Sequence, residues 1–214
     1  MDFQKYLEPV IETYTTGEWY PEVFKAKEEF FQKAGMVHED DLEFESRMSL
    51  FMDWYLFDRN LPGIDLPPVR IYFQEHFDSM EEESRRIFED LCETQHSLFR
   101  LKRFTFGKKN LIIEDLFTGK SIRVEDPHIQ HGFNKGDVFE ARLVRFKDKI
   151  EFSNGFCFHP REMEGFILSE IKKIRHQDTQ KHQKLIFQLA SMKLKHARFQ
   201  HIDVKHIYSF ESKF

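Results

Sequence analysis

Within residues 97–160 the apolar positions stop recurring every third or fourth residue and begin to alternate. Ile122 and Val124 alternate with Ser121, Arg123 and Glu125, and Phe139, Ala141 and Leu143 alternate with Glu140 and Arg142. Successive side chains of a strand point to opposite faces, so this period marks strands with one buried face. Turn signals at Gly107-Lys108-Lys109-Asn110, Thr118-Gly119-Lys120, Lys147-Asp148-Lys149 and Asn154-Gly155 cut the stretch into five or six short strands. Connections this short cannot supply the crossovers of parallel pairing, so the strands are expected to be antiparallel. The apolar parity changes between Phe99/Leu101 and Phe104/Phe106, and again between Leu143 and Val144/Phe146. A parity change inside a strand predicts a bulge or sharp bend. The expected product is a small bent antiparallel sheet or barrel.

Helical patterning surrounds this stretch. Phe3, Tyr6, Leu7, Val10, Ile11 and Tyr14 follow the spacing of one helix face. Pro21 and Gly35 bracket a second helix, since proline suits a first helical turn and glycine the residue after the last. Phe44, Met48, Phe51, Met52 and Tyr55 predict a third, opened by Glu39-Asp40-Asp41. Pro67-Pro68 starts a fourth, and Ser79 with Glu82 suggests a capping box for a fifth over 80–93. After Pro160, Met163, Phe166, Ile167, Ile171 and Ile174 form one stripe, and Leu185, Ile186, Leu189 and Met192 another. The polar run 175–184 is a break or a solvated helical segment, and 199–214 is expected to dock as an extended tail. The predicted class is α+β, with an acidic helical part (1–95), a small antiparallel β-domain (96–160), and C-terminal helices with a basic tail (161–214).

Charge separates the same parts. Of the net −5, residues 1–95 carry about −14 and the remainder about +9. Either the two surfaces attract each other inside the fold, or the basic end meets an acidic partner. The 25 phenylalanines among 214 residues exclude a disordered chain. Cys92 and Cys157, set among apolar neighbours, read as buried thiols of a reducing cytoplasm. No run approaches the roughly 20 apolar residues of a membrane span, so no membrane partner is expected.

Three segments carry recognisable motifs: Phe51-Met52-Asp53-Trp54-Tyr55-Leu56-Phe57-Asp58, Asp115-Leu116-Phe117-Thr118-Gly119, and Gly136-Asp137-Val138-Phe139-Glu140-Ala141-Arg142. In this order they resemble a group of uncharacterised bacterial proteins with a helical Phe-x-Asp-Trp segment followed by β Asp-Leu-x-Thr-Gly and Gly-Asp-x-x-x-x-Arg segments. Some of that group carry a Cys-rich zinc module of the SEC-C type. This chain has no such cluster, so the module is not carried over. The resemblance spans about residues 40–160 and implies a helical part followed by a β part.

The eleven histidines include His128 and His131 near Asp126, and His196, His201 and His206 at five-residue steps; neither spacing is that of a metal site. Glu45, Asp53 and Asp58 could form an acid/base pair, but Asp58-Arg59 before Pro62-Gly63 reads as a helix end, and Asp53 as solvated or paired with Arg59. Asp115 and Asp137 read as turn-formers. Trp54, beside Phe51, Tyr55 and Phe57, reads as core, with a stacking platform as the alternative. Arg100, Lys102, Arg103, Lys108 and Lys109 interleave with Phe99, Phe104 and Phe106, a pattern compatible with single-stranded nucleic acid.

The expectation is a non-enzymatic cytoplasmic interaction or regulatory module that binds a protein partner or a second copy. The alternative is a nucleic-acid binder using the β-domain and the basic tail. The expected binding residues are Trp54, Asp58, Arg59, Arg142, Lys193, Lys195, Arg198 and Lys205, with no catalytic residue, metal or cofactor. The last segment carries Leu185, Leu189, Met192, Ile202, Ile207 and Tyr208, which need a packing surface, so it is expected to dock and to turn Lys193, Lys195 and Arg198 outward.

Overall fold

Among the described residues, five antiparallel strands form one sheet in the order β3-β2-β1-β4-β5: β1 (Gln95–Phe104), β2 (Leu111–Asp115), β3 (Ser121–Val124), β4 (Val138–Phe146) and β5 (Lys149–Phe158). This computed structural model describes residues 3–105, 110–125 and 132–210. Phe106, Gly107, Lys108 and Lys109, and the group Asp126, His128 and His131, lie outside the described residues.

The sheet curls but stays open. Its two edges meet where the Glu125 N–H donates to the Ile150 carbonyl at 2.8 Å. The register slips between Leu101 and Arg103 on β1, where a parity change predicts irregularity, and between Ala141 and Leu143 on β4, just before the Leu143/Val144 change. The inner face buries Phe99, Leu101, Ile113, Phe139 and Phe152, and Phe133 stands over it, 5.2 Å from Phe139 and 5.0 Å from Phe158 between ring centres.

Two turns form as their residues dictate. Lys147 and Asp148 both take positive φ, 47° and 65°, the backbone a tight β4–β5 hairpin requires. Asp115 closes the β2–β3 turn by accepting the amides of Phe117 (2.9 Å) and Thr118 (3.3 Å) on one carboxylate oxygen. Asn154-Gly155 is not a turn. Both residues lie inside β5, opposite the slip on β4. Gly155 is required by a close approach: a Cβ there would sit 2.8 Å from an Asp53 carboxylate oxygen and 3.0 Å from the Leu50 Cα. The dipeptide read as a hairpin signal is the seat on which a helix rests.

That helix is α3 (Phe44–Phe57). It packs with α1 (Gln4–Thr15), α2 (Tyr20–Ala34), α4 (Pro68–His76) and α5 (Glu82–Leu91). The Ser79 capping box does not form: α5 starts at Glu82 with Glu81 as N-cap, and the Ser79 hydroxyl closes a preceding 3₁₀ turn by donating to the His76 carbonyl. On the C-terminal side come α6 (Glu164–Ile174), α7 (Thr179–Arg198) and a single turn, α8 (Val204–Ile207). Residues 175–178 are therefore a break, and the segment after α7 contains a helical turn rather than a purely extended tail. It docks through buried Ile207 and Tyr208.

The cores run through all three sequence segments. One contains Phe30, Phe51 and Trp54 from the helices, Val144, Phe146 and Cys157 from the strands, and Phe187 from α7. Buried Arg47 ties α3 to its neighbours, donating to the Ala34 carbonyl at 3.2 Å and to the Ala190 carbonyl on α7. The outer face of β4 is consequently covered as well. Glu140 and Arg142, whose alternation with apolar residues predicts a solvated face, are each 2% exposed.

Candidate functional site

The covered polar face of β4 is where the motif segments meet. Strand pairing sets His96 of β1 opposite Arg142, and Leu98 opposite Glu140. His96 reaches diagonally to Glu140, with Nε2 2.9 Å from Oε1, and its Nδ1 lies 3.9 Å from Asp58 Oδ2. Asp58 arrives from above because α3 ends there, the amides of Asp58 and Arg59 both bonding to the Trp54 carbonyl at 3.0 Å. Arg142 donates Nη2 to Asp58 and Nη1 to Thr94 Oγ1 at 2.8 Å, and its guanidinium lies 4.9 Å from the centre of the Phe57 ring. Glu140 Oε2 and Arg142 Nε are buried without a partner among the described residues.

One turn back along α3, Asp53 accepts a hydrogen bond from Ser153 Oγ at 2.5 Å. It is therefore neither solvated nor paired with Arg59, because β5 covers the side of α3 it occupies. Burial lifts its carboxyl above the usual range, against the lowering pull of Arg142. A raised folded-state value means that ionisation opposes folding, at a cost that sets in as pH rises through the carboxylate range. Asp53→Asn keeps an acceptor for Ser153 and removes the charge. Its thermal midpoint should exceed that of the parent at pH 7, with the gain shrinking as the buffer is made acidic. A midpoint at or below the parent's at pH 7 would contradict this.

In front of this network opens a cleft of about 560 Å³ between the end of α3, α4, the start of β1, the β2–β3 turn and the start of α7. Asp58, His96 and Asp115 line it, with Thr94, Gln95, Ser97 and Thr118 from the strands and Gln180 and Gln183 from α7. Asp115 is held by Ser97 Oγ at 3.1 Å and by Gln95 Nε2, besides its two turn amides. Arg70 at the rim bonds to the Cys92 carbonyl at 2.6 Å and to Glu93 at 2.9 Å. His182 stacks on Phe117, with ring centres 4.1 Å apart.

The expected binding residues do not all converge. Asp58 on the cleft wall meets Arg142 just behind it. Trp54 is 4% exposed and packs on Phe30 and Phe187, with Lys33 Nζ 5.5 Å and the Arg59 guanidinium 5.9 Å from its ring centre. Arg59 pairs with Glu22 at 2.6 Å and Glu29 at 2.8 Å. Lys193 pairs with Glu43, and Arg198 with Asp41 at 2.5 Å and the Met36 carbonyl at 2.6 Å. These two basic residues turn inward to the acidic half rather than outward, because Asp41 and Glu43 lie beside the last turns of α7. The Arg198 hydrogen bonds hold the Asp41 carboxyl down at about 2. Lys195 lies on α7, and Lys205 on α8, where its backbone amide caps onto Asp203.

No single strand or helix pattern singles out His96, Glu140 or Thr94. Their signal lies in the β1–β4 register, which no single strand pattern contains. Among the described residues, no group of three or more His, Cys, Asp or Glu side chains is placed to hold a metal ion, and no helix is long and apolar enough to cross a membrane.

Residues 21–194 match the profile of DUF7986, a family of unknown function. The chain belongs to this family. The DUF7986 span contains every residue of the cleft and of the network behind it. No curated protein and no solved structure matches the chain.

Proposed function

We propose that this DUF7986 protein is a non-catalytic interaction module that takes hold of a partner protein in the polar cleft. The observation that carries the reading is the state of the cleft's ionisable groups. Asp58 is held by Arg142, His96 by Glu140, Asp115 by four donors and Arg70 by Glu93. Side chains committed in this way form a fixed polar surface rather than a free acid, base or nucleophile. The nucleic-acid alternative draws on basic residues that are already engaged: Lys193 and Arg198 with the acidic half, and Arg100 and Lys102 with Glu114. A reducing compartment accords with two unpaired thiols. Burial pushes Cys92 up to about 11 and Cys157 up to about 12, which leaves both in the unreactive protonated form.

The test is affinity capture by the parent and by Thr118→Trp, which places a bulky ring at the exposed cleft wall, each with and without nuclease. A partner retained after nuclease and lost from Thr118→Trp supports the reading. Recovery that disappears with nuclease would favour nucleic acid, and a partner held equally by both chains would remove the cleft from the function.

A further inference from the structure

We infer that the cleft recognises an extended peptide segment of its partner through the peptide backbone, using side-chain amides; this rests on the reading of the cleft as a partner site. Every formal charge in the cleft already has a counter-charge or a set of hydrogen-bond donors, so a charged ligand group finds no unpaired opposite to meet. Besides the Thr179 hydroxyl, what remains to bond a ligand is amide. The side chains of Gln180 and Gln183 on α7 make no hydrogen bond among the described residues. Gln95 on β1 spends its NH₂ group on Asp115, leaving its carbonyl, and Asn60 beyond α3 spends its NH₂ group on Asp65 in the same way.

These four amides stand on three walls of one cleft. A carboxamide offers the donor and acceptor of a peptide unit, in a plane and at matching distances, so it pairs with a backbone amide in either direction. Strand addition has little edge to use here. β1, the strand at the floor, is bonded to β4 from Gln95 to Arg100 and to β2 from Phe99 onward, so an added strand could reach only its first three residues. A peptide crossing the rest of the cleft is held by side chains, and amides stand on three of its walls. Recognition of this kind tolerates many partner side chains while requiring an extended, accessible segment.

The probe is a phage-displayed library of random dodecapeptides, panned against the whole chain and counter-selected on Gln180→Leu/Gln183→Leu. Both glutamines stand at the surface of α7, and leucine preserves helix propensity, so the double variant should keep the parent's melting temperature. Enriched peptides should bind the double variant at least about tenfold more weakly than the parent, in line with the loss of one or two hydrogen bonds. N-methylation of a central peptide bond should weaken binding to the parent to a similar degree. Equal binding by the N-methylated peptide, equal binding to the double variant, or failure to enrich any peptide over the counter-selection would overturn the inference. The same variants separate it from the reading it rests on. A captured partner lost from Thr118→Trp but bound fully by Gln180→Leu/Gln183→Leu removes backbone recognition and keeps the cleft. A partner retained by Thr118→Trp removes the cleft itself.

Discussion

Trp54→Ala should lower the unfolding free energy by about 3–5 kcal/mol, the range for truncating a large aromatic in a packed core. The indole is almost wholly buried, with Phe30 5.5 Å away on α2 and Phe187 6.3 Å away on α7. The void has little means of closing. Arg47 bonds α3 to both α2 and α7 from the other side, so these helices cannot simply slide together. Two lysine and arginine stems also lose the ring they lie against. Urea unfolding followed by circular dichroism measures the change, with Trp54→Phe as a partial restoration. A loss below about 1 kcal/mol, typical of an unexceptional site, would mean that the indole is not a keystone of the helical layer. Because Asp58 lies one turn beyond Trp54, the variant should also disturb the cleft, and partner capture should fall more than a melting curve at working temperature would suggest.

The second large effect is acid sensitivity centred on His159. This residue follows β5, is 5% exposed, and has Nδ1 3.0 Å from the Tyr208 hydroxyl, while Nε2 has no partner among the described residues. Burial lowers its folded-state pKa from 6.5 to about 3, reinforced by Arg47 and Lys193. The unfolded chain binds a proton near pH 6.5 and the folded chain does not until about pH 3. In that interval the unfolded state holds more protons. The contribution is therefore fully present above pH 6.5 and is lost as pH falls, at a rate approaching 1.4 kcal/mol per pH unit. Asp41, depressed to about 2 by Arg198, acts lower: its contribution is present above its ordinary value of 3.8 and lost as pH falls towards 2. Comparing pH 6.5 with pH 5 thus leaves Asp41 out, and the His159→Gln control cancels what the two proteins share. Over that interval the parent should lose about 2 kcal/mol more than His159→Gln, measured as urea unfolding free energies. Parallel losses in the two proteins would show that His159 takes its proton without unfolding.

The sequence reveals which segments are helical and which extended, because each period is local. Bulges near Leu101 and Leu143 announce themselves as parity changes, and Asp115 as a turn-former by its neighbours Thr118 and Gly119. What it conceals is what covers what. Alternation along β4 states correctly that Glu140 and Arg142 lie opposite Phe139 and Ala141. It contains nothing about a second layer that buries them. Asn154-Gly155 has the chemistry of a turn, and only the presence of α3 against β5 reveals that glycine is there for want of a side chain. The cleft was half legible for the same reason. Its motif residues stand out one by one, but His96 and Glu140 become partners only when β1 is registered against β4. The acidic and basic halves were legible as charges, and their pairing through Asp41–Arg198 and Glu43–Lys193 became visible only with α7 laid across α2.

That last arrangement bears on how the protein is made. Asp41 and Arg198 are 157 residues apart in the chain, and Phe30 and Phe187 are equally far apart. At synthesis rates of about 5–20 residues per second, the first helices leave the ribosome roughly 8–30 seconds before the helix that completes their core. Throughout that interval Phe30, Trp54 and the cation of Arg47 lack the partners that α7 supplies. Holding chaperones should therefore aid the helical half during translation, and rare codons placed before α7 would lengthen its exposure.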